Sequence, residues 1–136
     1  MSDPHATPDP EARDAYRLGV LALLEGRWDD ARRELQGPAE AGMAPAILAL
    51  AKVHLAREEA ADARRRLAEL LDPPPDDRGF HAYLLLLDAF AVALEGRTAD
   101  ALRALEAVMP LDARLEGAAR TLRRRLEKRR PPLLRL

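Results

Sequence analysis

The chain of 136 residues has a net charge of −1, no Cys, 48% apolar residues and only 4% aromatics, which suits one domain and is too little for two large ones. Without Cys, disulfides, thiolate nucleophiles and Cys-ligated zinc are excluded, and a reducing, cytoplasmic setting is expected. The near-neutral total hides a division, because residues 1–111 hold 13 Lys and Arg against 20 Asp and Glu, a net −7, whereas residues 112–136 hold nine against three, a net +6.

Residues 1–9, with Asp3-Pro4 and Thr7-Pro8 followed by Asp9-Pro10, read as a flexible N-terminal arm. No basic region leads into an apolar core there, so no signal peptide is expected. Pro10 suits the first turn of a helix, which is predicted over about Glu11–Leu24. Within it Leu18, Leu21 and Leu24 recur at three-residue spacing and make one apolar face. Gly26 supplies a left-handed turn. A second helix, about Trp28–Gln36, carries the buried stripe Trp28, Ala31 and Leu35, with Asp29 and Asp30 in its dipole-favoured first turn. Gly37-Pro38 ends or kinks it, or else the helix runs one turn further to Gly42.

Further helices are predicted over about Ala44–Arg57 and Ala60–Leu71, then Phe80–Leu94 after the Pro73-Pro74-Pro75 break. Thr98 is a good N-cap for the next helix, which stops near Met109-Pro110. Asp112 is placed to cap a last one, about Ala113–Arg129, before Pro131-Pro132 and the tail 131–136. No stretch alternates apolar and polar residues as a half-buried strand would, so the fold class is all-α. The longest apolar run, Tyr83–Leu94, is interrupted by Asp88 and too short to span a bilayer.

Aligning Ala31, Ala63 and Ala101 gives offsets of 32 and 38 residues, and Leu35, Leu67 and Leu105 then coincide. Periods of this size belong to stacked helical hairpins. Leu18, Gly19, Gly26, Trp28, Ala31 and Leu35 in the first unit resemble the tetratricopeptide repeat signature. The second unit keeps Leu50, Ala51, Ala63 and Leu67 but has Glu58 at the turn. The third keeps Ala89, Gly96, Ala101 and Leu105 but has Asp88 at the usual Leu position. The junction Ala39–Ala46 also resembles the related Sel-like repeats, which leaves the subtype open.

The resemblance implies an α-solenoid of three antiparallel helix hairpins over residues 10–111, and residues 112–130 read as a basic C-terminal capping helix. It implies no catalysis and no cofactor, and an inner face that receives a protein or peptide. Carried over position by position, that face comprises Arg13, Tyr16, Val20 and Leu23, then Leu48, Lys52 and Leu55, then Tyr83, Leu86 and Phe90. Of these, Leu23, Leu48, Leu55 and Leu86 read first as core, and the scarce aromatics as the better anchors. Some family members grip a terminal carboxylate with paired Lys and Asn, but this chain has no Asn. A hydrophobic helix or extended peptide is therefore the expected ligand.

His5, His54 and His81 show no metal-ligand spacing, and no phosphate loop or nucleophile elbow is present, so an enzyme is not expected. The Arg-rich segment sets Arg120, Arg123, Arg124, Arg125, Lys128, Arg129 and Arg130 around an apolar stripe of Leu115, Ala118, Ala119, Leu122 and Leu126. The stripe suits an end cap. The cations alternatively meet nucleic-acid phosphates or anionic lipid, although interleaved aromatics are missing. Self-association is a third reading, through the acidic body of a second copy or the tail leucines Leu133, Leu134 and Leu136.

Overall fold

Each apolar period read from the sequence falls on a helix in the computed structural model, which describes residues 9–133. The helices are α1 (Pro10–Leu24), α2 (Trp28–Glu40), α3 (Ala44–Ala56), α4 (Ala60–Leu71), α5 (Arg78–Leu94), α6 (Thr98–Leu105), α7 (Val108–Leu111) and, after a 3-10 turn over Ala113–Leu115, α8 (Glu116–Glu127). Among the described residues there is no strand, and no helix is long and apolar enough to cross a membrane. The arm, apart from Asp9, and the tail residues Leu134 and Leu136 lie outside the described residues.

Neighbouring helices pack in pairs, α1 with α2, α3 with α4 and α5 with α6, while α2 packs on α3 and α4 on α5. One backbone device makes all three intra-pair turns. Gly26, Glu58 and Gly96 adopt φ of +74°, +60° and +79°. The next residue then donates back to the helix, Arg27 to Ala22 O at 2.8 Å, Glu59 to His54 O at 2.8 Å and Arg97 to Val92 O at 3.3 Å, which satisfies carbonyls that the helix end would leave unpaired. The same three residues receive the N–H of Ala31, Ala63 and Ala101 at 2.9–3.0 Å. Glu58 thus takes the conformation for which the sequence pattern asks a Gly.

Gly19 fixes how closely α1 and α2 approach, because a Cβ there would lie 2.4 Å from Leu35 Cγ. Ala31, Leu35, Ala46, Leu50 and Val53 form one buried cluster, and α4 to α8 close a larger one around Leu67, Leu84, Leu87 and Leu122. α3 joins the former through Ala46, Ile47, Leu50 and Val53 and the latter through Ala51 and Leu55. Asp88 on α5 is 22% exposed and accepts from Arg64 Nε at 3.1 Å. That pairing compensates for burying a carboxylate between α4 and α5.

Of the two alternatives for α2 the longer one holds, since the helix runs through Pro38 to Glu40 before Gly42 turns at φ +86°. Two other expectations are corrected. Arg97, not Thr98, is the N-cap of α6, and Thr98 is its first helical residue. The single helix expected to reach Met109 is divided at Glu106-Ala107, since Pro110 has no N–H for the Glu106 carbonyl and its ring crowds that carbonyl. The apolar face of Leu18, Leu21 and Leu24 is 54%, 48% and 77% exposed, while α1 buries Gly19 and Ala22.

Candidate functional site

Apolar residues at positions 16, 20 and 23 share one side of α1, and positions 45, 48 and 52 share one side of α3. Because α1 touches α3, the two sides meet. Tyr16, Val20 and Leu23 from α1 and Leu48 and Lys52 from α3 line a cleft of about 330 Å³, which Trp28 at the start of α2 also lines. All six of these side chains are half-buried, so each holds one flank in the fold and offers the other to the cleft. The ammonium of Lys52 lies 5.2 Å from the centroid of the Tyr83 ring on α5, a cation–π contact that leaves the charge at the cleft's edge.

Of the positions that the resemblance assigns to an inner face, Tyr16, Val20, Leu23, Leu48 and Lys52 therefore come together, whereas Arg13, Leu55, Leu86 and Phe90 do not. Phe90 is 6% exposed and packs in the larger core, as do Leu55 and Leu86, so Phe90 is corrected from anchor to core. Its position on α5, a helix buried on most of its circumference, accounts for this. Tyr83 contributes by supporting Lys52. Arg13 is exposed on α1 and does not line the cleft. The sequence reading placed Trp28 in a buried stripe and missed Leu24 and Pro45 as lining residues. For Trp28 the available signal was its place directly after the turn, where a large ring covers the end of the preceding helix.

The basic segment is built as a lid. Ala119, Leu122 and Leu126 of α8 are buried in the larger core, and its helix packs on α5, α6 and α7. Some of its cations are engaged. Arg120 pairs with Glu116, Arg123 with Glu127 at 3.3 Å, and Arg125 Nε donates to Pro131 O at 2.7 Å. Arg124, Lys128, Arg129 and Arg130 are exposed and, among the described residues, form no ion pair. A second apolar cleft, about 460 Å³, lies between α6–α7 and α8, with Leu105, Met109 and Ala119 in its lining and Arg120 and Arg123 beside them.

Sequence spacing did not reveal that His54, Glu59 and Asp62 bring ligand-type atoms within 4.8 Å of one another. Their partners make the cluster an ion-pair junction. Glu59 Oε1 accepts from Arg32 at 2.6 Å and lies 3.2 Å from His54 Nδ1, and Asp62 pairs with Arg65. The Arg32 contact ties α2 to the turn before α4. At the other end, Asp112 accepts from the Arg114 side chain and from its backbone N–H at 2.9 Å. Chiefly the guanidinium, and then the N–H, hold the Asp112 carboxyl below its ordinary range.

Compared with protein-family models, curated proteins and solved structures, the chain matches none.

Proposed function

We propose that this chain is a non-enzymatic cytoplasmic adaptor, a tetratricopeptide-like solenoid of three hairpins with a capping helix, whose cleft between α1 and α3 receives an apolar helix or extended peptide of a protein partner. One observation carries the reading. Positions that the repeat register assigns to the inner face, Tyr16, Val20, Leu23, Leu48 and Lys52, line one cleft while remaining partly open. The threefold recurrence of the turn at Gly26, Glu58 and Gly96 supports the repeat architecture. An apolar cleft with one ammonium at its edge favours a ligand with bulky aliphatic residues at helical spacing and a carboxylate to meet Lys52.

Trp28 is the only Trp in the chain and lines the cleft, so its emission reports occupancy. Peptides selected by display against the full chain are titrated while that emission is followed. A saturable change is expected, weakened about tenfold or more by Tyr16→Ala, as truncation of an aromatic anchor does. Failure to select any peptide, or selected peptides indifferent to Tyr16→Ala and Val20→Asp, contradicts the reading.

A second reading, nucleic-acid accessory function through α8, is favoured by the exposed cations Arg124, Lys128, Arg129 and Arg130. It requires RNA or DNA binding that falls steeply with salt and is lost on reversing Arg124, Arg129 and Arg130 to Glu. Absence of binding at low salt removes it.

A further inference from the structure

Two leucines of the exposed stripe of α1 have buried counterparts, while those of Leu24, Ala56 and Leu94, are half-buried. Counted from the turn residues, Leu18 and Leu21 correspond to Leu50 and Val53 in the second unit, both fully buried in a cluster that includes Leu35 and Ala39 of α2. In the third unit Leu21 corresponds to Ala91, also fully buried. A preceding helix thus covers the position of Leu21 in both later pairs and that of Leu18 in the second, and among the described residues no helix precedes α1.

The flanking charges say what covers it here. Along α1 the stripe reads Arg17-Leu18, Leu21, Leu24-Glu25, a pattern symmetric about Leu21 in its leucines and antisymmetric in its charges. At about 100° and 1.5 Å per residue, Arg17 and Glu25 project about 40° to either side of Leu21, and lie about 6 Å from it along the axis. We infer that this face docks a second copy of the chain, with the two α1 helices antiparallel about a twofold axis beside Leu21.

In that arrangement Arg17 of each copy stands across from Glu25 of the other, and the leucines interdigitate between the two ion pairs. A parallel alignment instead sets Arg17 against Arg17 and Glu25 against Glu25. Glu25 is available for the contact, since Arg27 occupies only its Oε2, at 2.8 Å. Exposed ion pairs add little affinity and mainly fix orientation, so the three leucines hold the dimer and the charges set its register. The contact is isologous and closes at two copies. It is also a small one, so the dimer belongs to the weak, concentration-dependent class. The inference goes beyond the peptide cleft: Leu18 and Leu21 lie outside the cleft's lining, and only Leu24 borders both surfaces.

Sedimentation velocity of the full chain over a concentration series up to about 1 mM, the weak end of the affinity scale, tests it. Wild type is expected to shift from monomer to dimer. Leu21→Glu, which sets two carboxylates beside the axis, is expected to remain monomeric, with helical content by circular dichroism confirming that it folds. Arg17→Glu and Glu25→Arg alone are expected to weaken the dimer, and the double reversal to restore it. As the chain has no Cys, Leu21→Cys alone is expected to form a disulfide-linked dimer, which requires Cβ atoms about 4 Å apart. A wild type that is monomeric throughout overturns the inference, whether another segment or another protein covers the stripe. So does a dimer that survives Leu21→Glu, or a double reversal no better than either single one.

Discussion

Gly19→Ala tests how the first helix pair is fitted together. The new Cβ would stand 2.4 Å from Leu35 Cγ and 2.6 Å from its Cδ2, and Leu35 is fully buried, so it has no open side into which to move. Overpacking of this kind costs about 1–3 kcal/mol. Against that, Ala in place of a mid-helix Gly contributes about 0.5–1 kcal/mol. The net expectation is a loss of roughly 1 kcal/mol, read from the urea midpoint at unchanged m-value. In a Leu35→Ala background, itself about 2–5 kcal/mol less stable, the obstruction is gone. Gly19→Ala should there stabilise by about 0.5–1 kcal/mol. The sign reversal is the diagnostic result, because helix propensity alone gives the same sign in both backgrounds. A Gly19→Ala variant more stable than wild type refutes the close-approach argument.

At the turns, Glu58 holds φ +60°, which costs an L-residue about 1–2 kcal/mol. Glu58→Gly is therefore predicted to raise stability by about 0.5–1 kcal/mol after the added unfolded-state entropy is subtracted, whereas Gly26→Ala, at φ +74°, should lower it; thermal melts of both settle the pair. Asp112 has a folded pKa held below its ordinary 3.8, so its contribution is fully present above that value and is lost as pH falls through the depressed one. Asp112→Asn should accordingly flatten the stability profile below about pH 4 and leave the slope between about pH 5 and 8 unchanged; an altered slope in the neutral range argues against the assignment. Leu122→Ala, at a fully buried position of α8, is predicted to cost about 2–5 kcal/mol, while reversal of Arg124, Arg129 and Arg130 should change the urea midpoint little. Equal effects from the two would remove the distinction between the apolar and basic sides of that helix.

The helix pairs were legible in the sequence because their determinants are local. Ala31, Ala63 and Ala101 recur where each second helix meets its turn, and all three are fully buried. The α2 extension was left open because Pro38 removes one donor without forbidding a helix, and Gly42 rather than Pro38 carries the turn. Periodicity identified Leu18, Leu21 and Leu24 as one face but carries no information about what stands opposite it. The same blindness affected Phe90. An aromatic on an inner-face position is an anchor only if its helix keeps that side open, and α5 is covered on most sides. Glu58 was read as a departure from the pattern, yet its backbone follows the pattern, since φ is set by the hydrogen bonds on either side of it. The cluster of His54, Glu59 and Asp62 with Arg32 joins residues from two helix pairs, so no spacing along the chain announces it.

The proposed function meets its most direct test in backbone amide shift mapping by NMR, with a display-selected peptide titrated into the full chain. Perturbations are expected at Tyr16, Val20, Leu23, Trp28, Leu48 and Lys52, with α8 unaffected. Perturbations confined to residues 120–130, or to the exposed Leu18 and Leu21 with the cleft silent, would contradict it.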